Sequence, residues 1–133
     1  MPEINVLAVI VAAVASFVVS GGWYALLGDR MLALQRQWRG AEAPEGPEAA
    51  TMAAFFGVAV VVATATAAVV DLADVSGWAE SAGLGLLLWA GYVLTQWTGS
   101  ILGEGVPVQL AAIHAGDWLL HLLLIAVIIG VWR

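Results

Sequence analysis

The residues best suited to chemistry are His114, Asp117 and His121, which follow one another at spacings of three and four positions. At about 100° per residue, an α-helix would place all three within a wedge of about 60° on one face. Imidazole and carboxylate groups in this arrangement can form a hydrogen-bonded network, pass a proton, or offer two nitrogen ligands and one oxygen ligand to a metal ion.

These three chemistries are the interpretations that the spacing leaves open for a candidate intramembrane polar site. The metal site is the weakest, because neighbouring ligands on one straight helix rarely close a coordination sphere and no fourth ligand is evident. We favour a packing network over a proton or ion relay, because no acid or base in the other spans lines up to continue a path. The expectation is no metal and no cofactor.

Other catalytic patterns are missing from the sequence. There is no nucleophile elbow, no phosphate-binding glycine loop and no HExxH motif. We therefore do not expect an enzyme, and the sequence has no catalytic residues to assign.

The composition places the chain in a lipid bilayer. Of its 133 residues, 62% are hydrophobic and 11% are charged, whereas soluble domains carry about 25% charged residues. A soluble domain of this size has too much surface to bury so many apolar side chains. With four basic residues and a net charge of −6, a nucleic-acid partner is also excluded.

Uncharged stretches predict four membrane spans, at about 4–28, 50–70, 81–103 and 108–132. Each reaches the ~20 residues that cross a bilayer, and backbone hydrogen bonding in lipid requires helices. The predicted fold is all-α, a single transmembrane domain (1–133) forming an integral membrane four-helix bundle in up-down-up-down order. A polar loop at 29–48 joins the first two spans.

The first part of that loop carries a helical pattern. Met31, Leu34 and Trp38 recur at positions i, i+3 and i+7, which favours a short helix on the membrane surface or an extension of the first span over an ordinary solvated loop. The following stretch, 41–50, is rich in Ala, Pro, Glu and Gly and is predicted to be irregular.

Orientation in the membrane follows from the basic residues. Arg30, Arg36 and Arg39 all lie in the loop 29–48, and basic loops stay in the cytoplasm. We therefore expect a multi-pass protein of the cell (inner) membrane with both termini outside. The aromatic residues expected at the membrane interfaces are Trp23, Tyr24, Trp38 and Trp132.

Rows of small residues predict where helices touch, since membrane helices associate by close packing of small side chains. Such rows occur at Ala8, Ala12, Ser16 and Ser20 in the first span, at Ala59, Ala63 and Ala67 in the second, and at Gly91, Thr95, Gly99 and Gly103 in the third. Each row has a four-residue spacing, and we expect each to bring two helices into contact.

The sequence resembles the bacterial domain-of-unknown-function 1761 family of small four-span membrane proteins. The likeness is carried by residues 5–17, GWY at 22–24, GLLLWAG at 85–91, the turn 104–107 with 112–122 after it, and GVW at 130–132. The resemblance covers nearly the whole chain. It implies a four-helix membrane fold and no established activity, so it assigns no functional residues.

Two classes of function remain open. The first is a non-catalytic membrane protein that acts by forming a homo-oligomer or by associating with other membrane proteins. The second is an oligomeric transporter or channel for a small solute, an ion or a proton, using the polar wedge of the fourth span. Four helices leave little room for a private substrate cavity, which favours the first class.

Overall fold

The computed structural model describes residues 2–42 and 47–132, which form helices and short turns without a strand. The elements are α1 (Val6–Arg39), a 3₁₀ turn (Gly40–Glu42), α2 (Ala49–Leu72), α3 (Gly77–Leu88), a π-helical segment (Trp89–Leu94), α4 (Thr95–Glu104) and α5 (Val108–Val131). Because α3, the π-helical segment and α4 are continuous, these residues form four helical rods, and the all-helical prediction is confirmed. Residues 43–46, in the stretch predicted to be irregular, lie outside the described part.

The outer surface of these rods is apolar. Three helices, α1, α2 and α5, are long and apolar enough to cross a membrane. Large side chains point outward, among them Leu26, Val61 and Leu102, which are 85%, 68% and 82% exposed. Apolar surface on this scale is unfavourable in water but costs nothing against lipid tails. The arrangement is that of a helical membrane protein.

Helix α1 is longer than a bilayer is thick. Its 34 residues span about 51 Å, against about 30 Å for the hydrocarbon core. Asn5 caps its start, the side chain accepting a hydrogen bond from the backbone N–H of Ala8 over 3.2 Å. The helix runs on to Arg39, so the segment that carries Leu34 is an extension of α1 rather than a separate surface helix.

The turn between α4 and α5 contains three residues. Gly105 has a φ of 71°, in the left-handed region that glycine adopts without a steric penalty. The N–H of Val106 reaches back to the carbonyl of Ser100 over 3.3 Å, and Pro107 precedes the first residue of α5. This short connection makes α4 and α5 neighbours.

Two apolar clusters hold the rods together, one in each half of the bundle. The first contains Val9, Ala12, Ala13, Ala59, Ala63, Ala67, Val70, Ile125 and Ile129. The second contains Leu34, Val106, Leu110, Ala111 and Ile113. Helices α1 and α5 contribute to both clusters, and the polar wedge of α5 lies between the two.

The rows of small residues behave differently on different helices. On α1, Ala8, Ala12 and Ser16 are buried, and on α2 the row Ala59, Ala63 and Ala67 is buried. The third row differs from these two. Gly91, Thr95, Gly99 and Gly103 are exposed, and a Cβ added at any of the three glycines would meet nothing within 4 Å. Among the described residues this row touches no other helix, so its helix contact stays a prediction.

The π-helical segment explains why that row faces outward. In an uninterrupted α-helix, Gly85 and Ile101 would point about 160° apart. The wider π turn takes up one additional residue and reduces that angle to about 60°. Gly85 contacts α5 and Ile101 packs on the second apolar cluster, so this face turns inward and the Gly91 row turns away.

The closest approach between α3 and α5 depends on two glycines outside the predicted rows. A Cβ at Gly85 would lie 3.0 Å from the backbone oxygen of Leu122. A Cβ at Gly130 would overlap the side chain of Ser81, which is fully buried. These contacts fix the position of α5, the helix that carries the polar wedge.

Candidate polar site between α1 and α5

The three polar residues of α5 face α1, where they meet side chains from two successive turns. Asp117 and His121 are each only 8% exposed. On α1, Ser20 contacts Asp117 and His121, and Tyr24 contacts His114. Ser20 and Tyr24 lie four residues apart and therefore on one face. We call this set of five residues the polar seam.

Ser20 connects the two halves of the seam. Its hydroxyl donates a hydrogen bond to Oδ1 of Asp117 over 2.5 Å, and the same oxygen lies 3.3 Å from Nδ1 of His121. A serine hydroxyl has one hydrogen. When Asp117 is ionised, it receives this hydrogen, and the contact with His121 is then a bond donated by the Nδ1–H of the imidazole to the serine oxygen.

His114 is held separately, one turn before Asp117. The hydroxyl of Tyr24 lies 2.8 Å from His114 Nδ1. On the other side, the indole of Trp97 stacks on the imidazole, with ring centroids 5.1 Å apart and planes inclined by 8°. His114 thus joins α1 to α4 across the face of α5.

Two tryptophans bind the backbone of α5 at the level of the seam. The Nε1–H of Trp23 donates to the carbonyl of Ile113 over 2.9 Å, and that of Trp89 donates to the carbonyl of Ala115 over 2.7 Å. A carbonyl has two lone pairs and can accept these bonds in addition to its helical bond. Indoles from α1 and from the π-helical segment therefore both hold α5.

The electrostatics of the seam are unusual for a buried carboxylate. None of the described arginines pairs with Asp117, since Arg30 binds Gln109 and Arg39 lies over Trp38. An ionised aspartate at this depth in a bilayer costs about 2.5 kcal/mol or more without shielding. In addition, Nε2 of His121 is buried without a hydrogen-bond partner.

A cavity of about 340 Å³ lies elsewhere, at the end of the bundle that holds the chain termini. Its polar lining comes from Glu3, Asn5 and Asp71, and Trp132 closes one side. Asn5 also donates to the carbonyl of Trp132 over 3.1 Å. None of the seam residues lines it. Within the described residues, no group of three or more His, Cys, Asp or Glu side chains could hold a metal ion.

Sequence reasoning had assigned several seam residues to other roles. Ser20 belonged to a packing row, and Trp23 and Tyr24 were expected at the membrane interface. The structure places all three against α5. Their spacing was the available signal, because positions 20, 23 and 24 share one face of α1 just as positions 114, 117 and 121 share one face of α5. The contribution of Trp89 had no comparable signal.

Two other aromatic residues expected at the membrane interface lie at opposite ends of the bundle. Trp38 packs on the second apolar cluster at the end of α1. Trp132 borders the cavity at the other end. Their position at the two membrane interfaces stays a prediction.

The fold and the seam together define a helical membrane protein whose polar groups are buried between its first and last helices. The chain belongs to the family described as protein of unknown function (DUF1761), whose model matches residues 7–130. This match confirms the resemblance found in the sequence. Neither a curated protein nor a solved structure matches the chain.

Proposed function

We propose that the protein is a non-catalytic membrane component that acts by associating with another membrane protein, in the first place a second copy of itself. The observation that carries this proposal is the open row Gly91, Thr95, Gly99 and Gly103. It keeps the spacing of a helix-packing row but is exposed and contacts no other helix in the described part of the chain. Small residues let helix backbones approach closely in lipid, so a second helix can pack here.

The use of the polar residues supports the same proposal. Ser20, Tyr24, Asp117 and His114 all bind partners inside the chain. The 340 Å³ cavity is lined by other residues, near the chain termini. Transport of a small solute through one copy therefore has less support than a packed bundle that works through its outer surface.

The arrangement in the cell (inner) membrane forms part of the proposal. Glu3 donates from its backbone N–H to Asp71 over 3.1 Å, and Asn5 binds Trp132, so one end of the bundle gathers both termini and the turn after α2. These contacts support up-down-up-down crossing. The arginines of the α1 extension favour a cytoplasmic position for the opposite end.

Self-association can be tested by fluorescence energy transfer between labelled copies in lipid vesicles at a series of protein-to-lipid ratios. We expect transfer in the natural protein and a loss in Gly99→Leu. Overpacking costs about 1–3 kcal/mol, which corresponds to about 5- to 150-fold weaker association. Gly57→Leu is the matched control, because Gly57 is also exposed in a helix with nothing within 4 Å.

Two results would count against the proposal. One is an absence of transfer in the natural protein at every ratio. The other is an equal loss in Gly57→Leu, because a general effect of leucine on the bilayer surface would then explain both variants.

A further inference from the structure

The polar seam contains a buried imidazole nitrogen, Nε2 of His121, that has no hydrogen-bond partner. The hydrogen bonds of the neighbouring groups indicate a role for this atom. With Asp117 ionised, His121 donates from Nδ1 to Ser20, so the neutral imidazole has its lone pair on Nε2. This atom is the one that is buried without a hydrogen bond. Ser20 in turn donates to Asp117. All donors in this chain of three groups point toward the carboxylate.

We propose that Ser20, Asp117 and His121 form a proton-binding site in which one proton is taken up at His121 and stored on Asp117. Uptake of one proton at Nε2 makes the imidazole cationic. It then releases the Nδ1 proton to the serine oxygen, which passes its own hydrogen to Oδ1 of Asp117. Two N–H or O–H bonds break, three form, and the single added proton accounts for the difference.

The product of this transfer is as well bonded as the starting state. The protonated carboxyl now donates to the serine oxygen, and the serine hydroxyl donates to the bare Nδ1 of His121. Both hydrogen bonds are reversed, while the heavy atoms keep their present separations of 2.5 Å and 3.3 Å. The charge of Asp117 disappears, which is favourable because no described arginine pairs with it.

The surroundings contain few groups that compete for this proton. Tyr24 on α1 and His114 on α5 are the titratable neighbours. Tyr24 binds His114 and also interacts with the carboxylate of Asp117. The π-helical segment and α4 present Trp89 and Trp97, which do not titrate. The charged residues of α2, α3 and α4 (Asp71, Glu80 and Glu104) lie at helix ends. The site does not depend on the proposed self-association.

The chain has two histidines, so imidazole ¹⁵N spectra of the whole protein in lipid bilayers can report the site directly. His114→Gln assigns the His121 signals. We expect the Nδ1–H tautomer of His121 at high pH and the Nε2–H tautomer at low pH. Infrared spectra should show the protonated carboxyl of Asp117 appearing over the same pH interval, with that band absent in Asp117→Asn.

Ser20→Ala should separate the two events, because it removes the bridging oxygen. Ser16→Ala is the matched control, since Ser16 is a buried serine one turn earlier whose hydroxyl binds its own helix at the carbonyl of Ala13. Coupled titration in the natural protein and in Ser16→Ala, lost in Ser20→Ala, is the expected result.

The proposal is overturned if His121 keeps one tautomer at every pH, or if His121 and Asp117 titrate over different intervals in the natural protein. If Ser20→Ala does not fold, Ser20→Thr provides the test. It keeps a hydroxyl at position 20 and must show the coupled titration of His121 and Asp117. The tautomer of the natural protein at high pH is a further check that needs no variant.

Discussion

Ser20 and Asp117 are separated by 97 positions in the sequence, yet their side chains are joined by a hydrogen bond of 2.5 Å. The bond links the middle of α1 to the middle of α5, between the two apolar clusters. It gives the buried carboxylate of α5 a hydrogen-bond donor from α1.

The first prediction concerns the strength of this link. Ser20→Ala and Asp117→Ala should each alter stability, and the double variant should show a coupling energy of about 1 kcal/mol, near the values of about 0.6–1.7 kcal/mol measured for hydrogen bonds between membrane helices. Unfolding equilibria in lipid or mixed micelles provide the measurement. Strict additivity would mean that the two groups do not interact in the folded protein.

A second prediction addresses the contact between α3 and α5. Gly130→Ala should lower the free energy of unfolding by about 1–3 kcal/mol, because the new Cβ would overlap Ser81. Adding Ser81→Gly should recover part of the loss, since it removes the atoms that clash. Gly57→Ala serves as the control and should be neutral or slightly stabilising. An equal loss in both alanine variants would contradict the contact.

The third prediction tests the position of the Trp23 indole. A Cβ at Gly116 would lie 2.6 Å from Cζ2 of Trp23, so Gly116→Ala should displace the ring and break its bond to the carbonyl of Ile113. We expect a loss of about 1–3 kcal/mol in thermal or denaturant unfolding. In a Trp23→Phe background the smaller ring leaves room, and Gly116→Ala should add little. If Gly116→Ala lowered the stability of the Trp23→Phe variant by the same ~1–3 kcal/mol, a clash with the Trp23 ring would not be the cause.

The fourth prediction tests the orientation in the membrane. The chain has no cysteine, so single cysteines can be labelled without background. Cysteines at Ala41 and Ala73, both exposed, lie after α1 and after α2. With the arginine-rich end in the cytoplasm, a thiol reagent that does not cross membranes should label Ala73→Cys in intact cells and leave Ala41→Cys unlabelled until the cells are opened. The reverse pattern would invert the orientation.

Much of the architecture could be predicted because it depends on composition and spacing along single helices. The uncharged stretches located the helices, and the spacing of His114, Asp117 and His121 predicted their common face. Partners across helices were harder to predict. Trp23 and Tyr24 were assigned to the interface by residue type alone, although aromatic side chains with N–H or O–H groups bind equally well inside a bundle.

The row from Gly91 to Gly103 shows a second limit of sequence patterns. The four-residue spacing predicts a common face only in a regular α-helix. The π-helical segment changes the rotation between α3 and α4. A single wide turn has no recognisable residue signature here. The face that meets α5 is instead occupied by Trp89, Trp97 and Ile101.

The additional residue in the π turn makes the Trp89–Leu94 segment a point where one residue can be lost without turning the rest of the helix. Removing one residue there would leave a regular α-helix in which Gly85 and the present Ile101 still point about 60° apart. Trp97 would keep its place against His114. A gap of one residue in a relative, if it fell at this segment, would therefore preserve the buried and lipid-facing sides of α4, whereas a gap within α4 would turn the residues after it by about 100°.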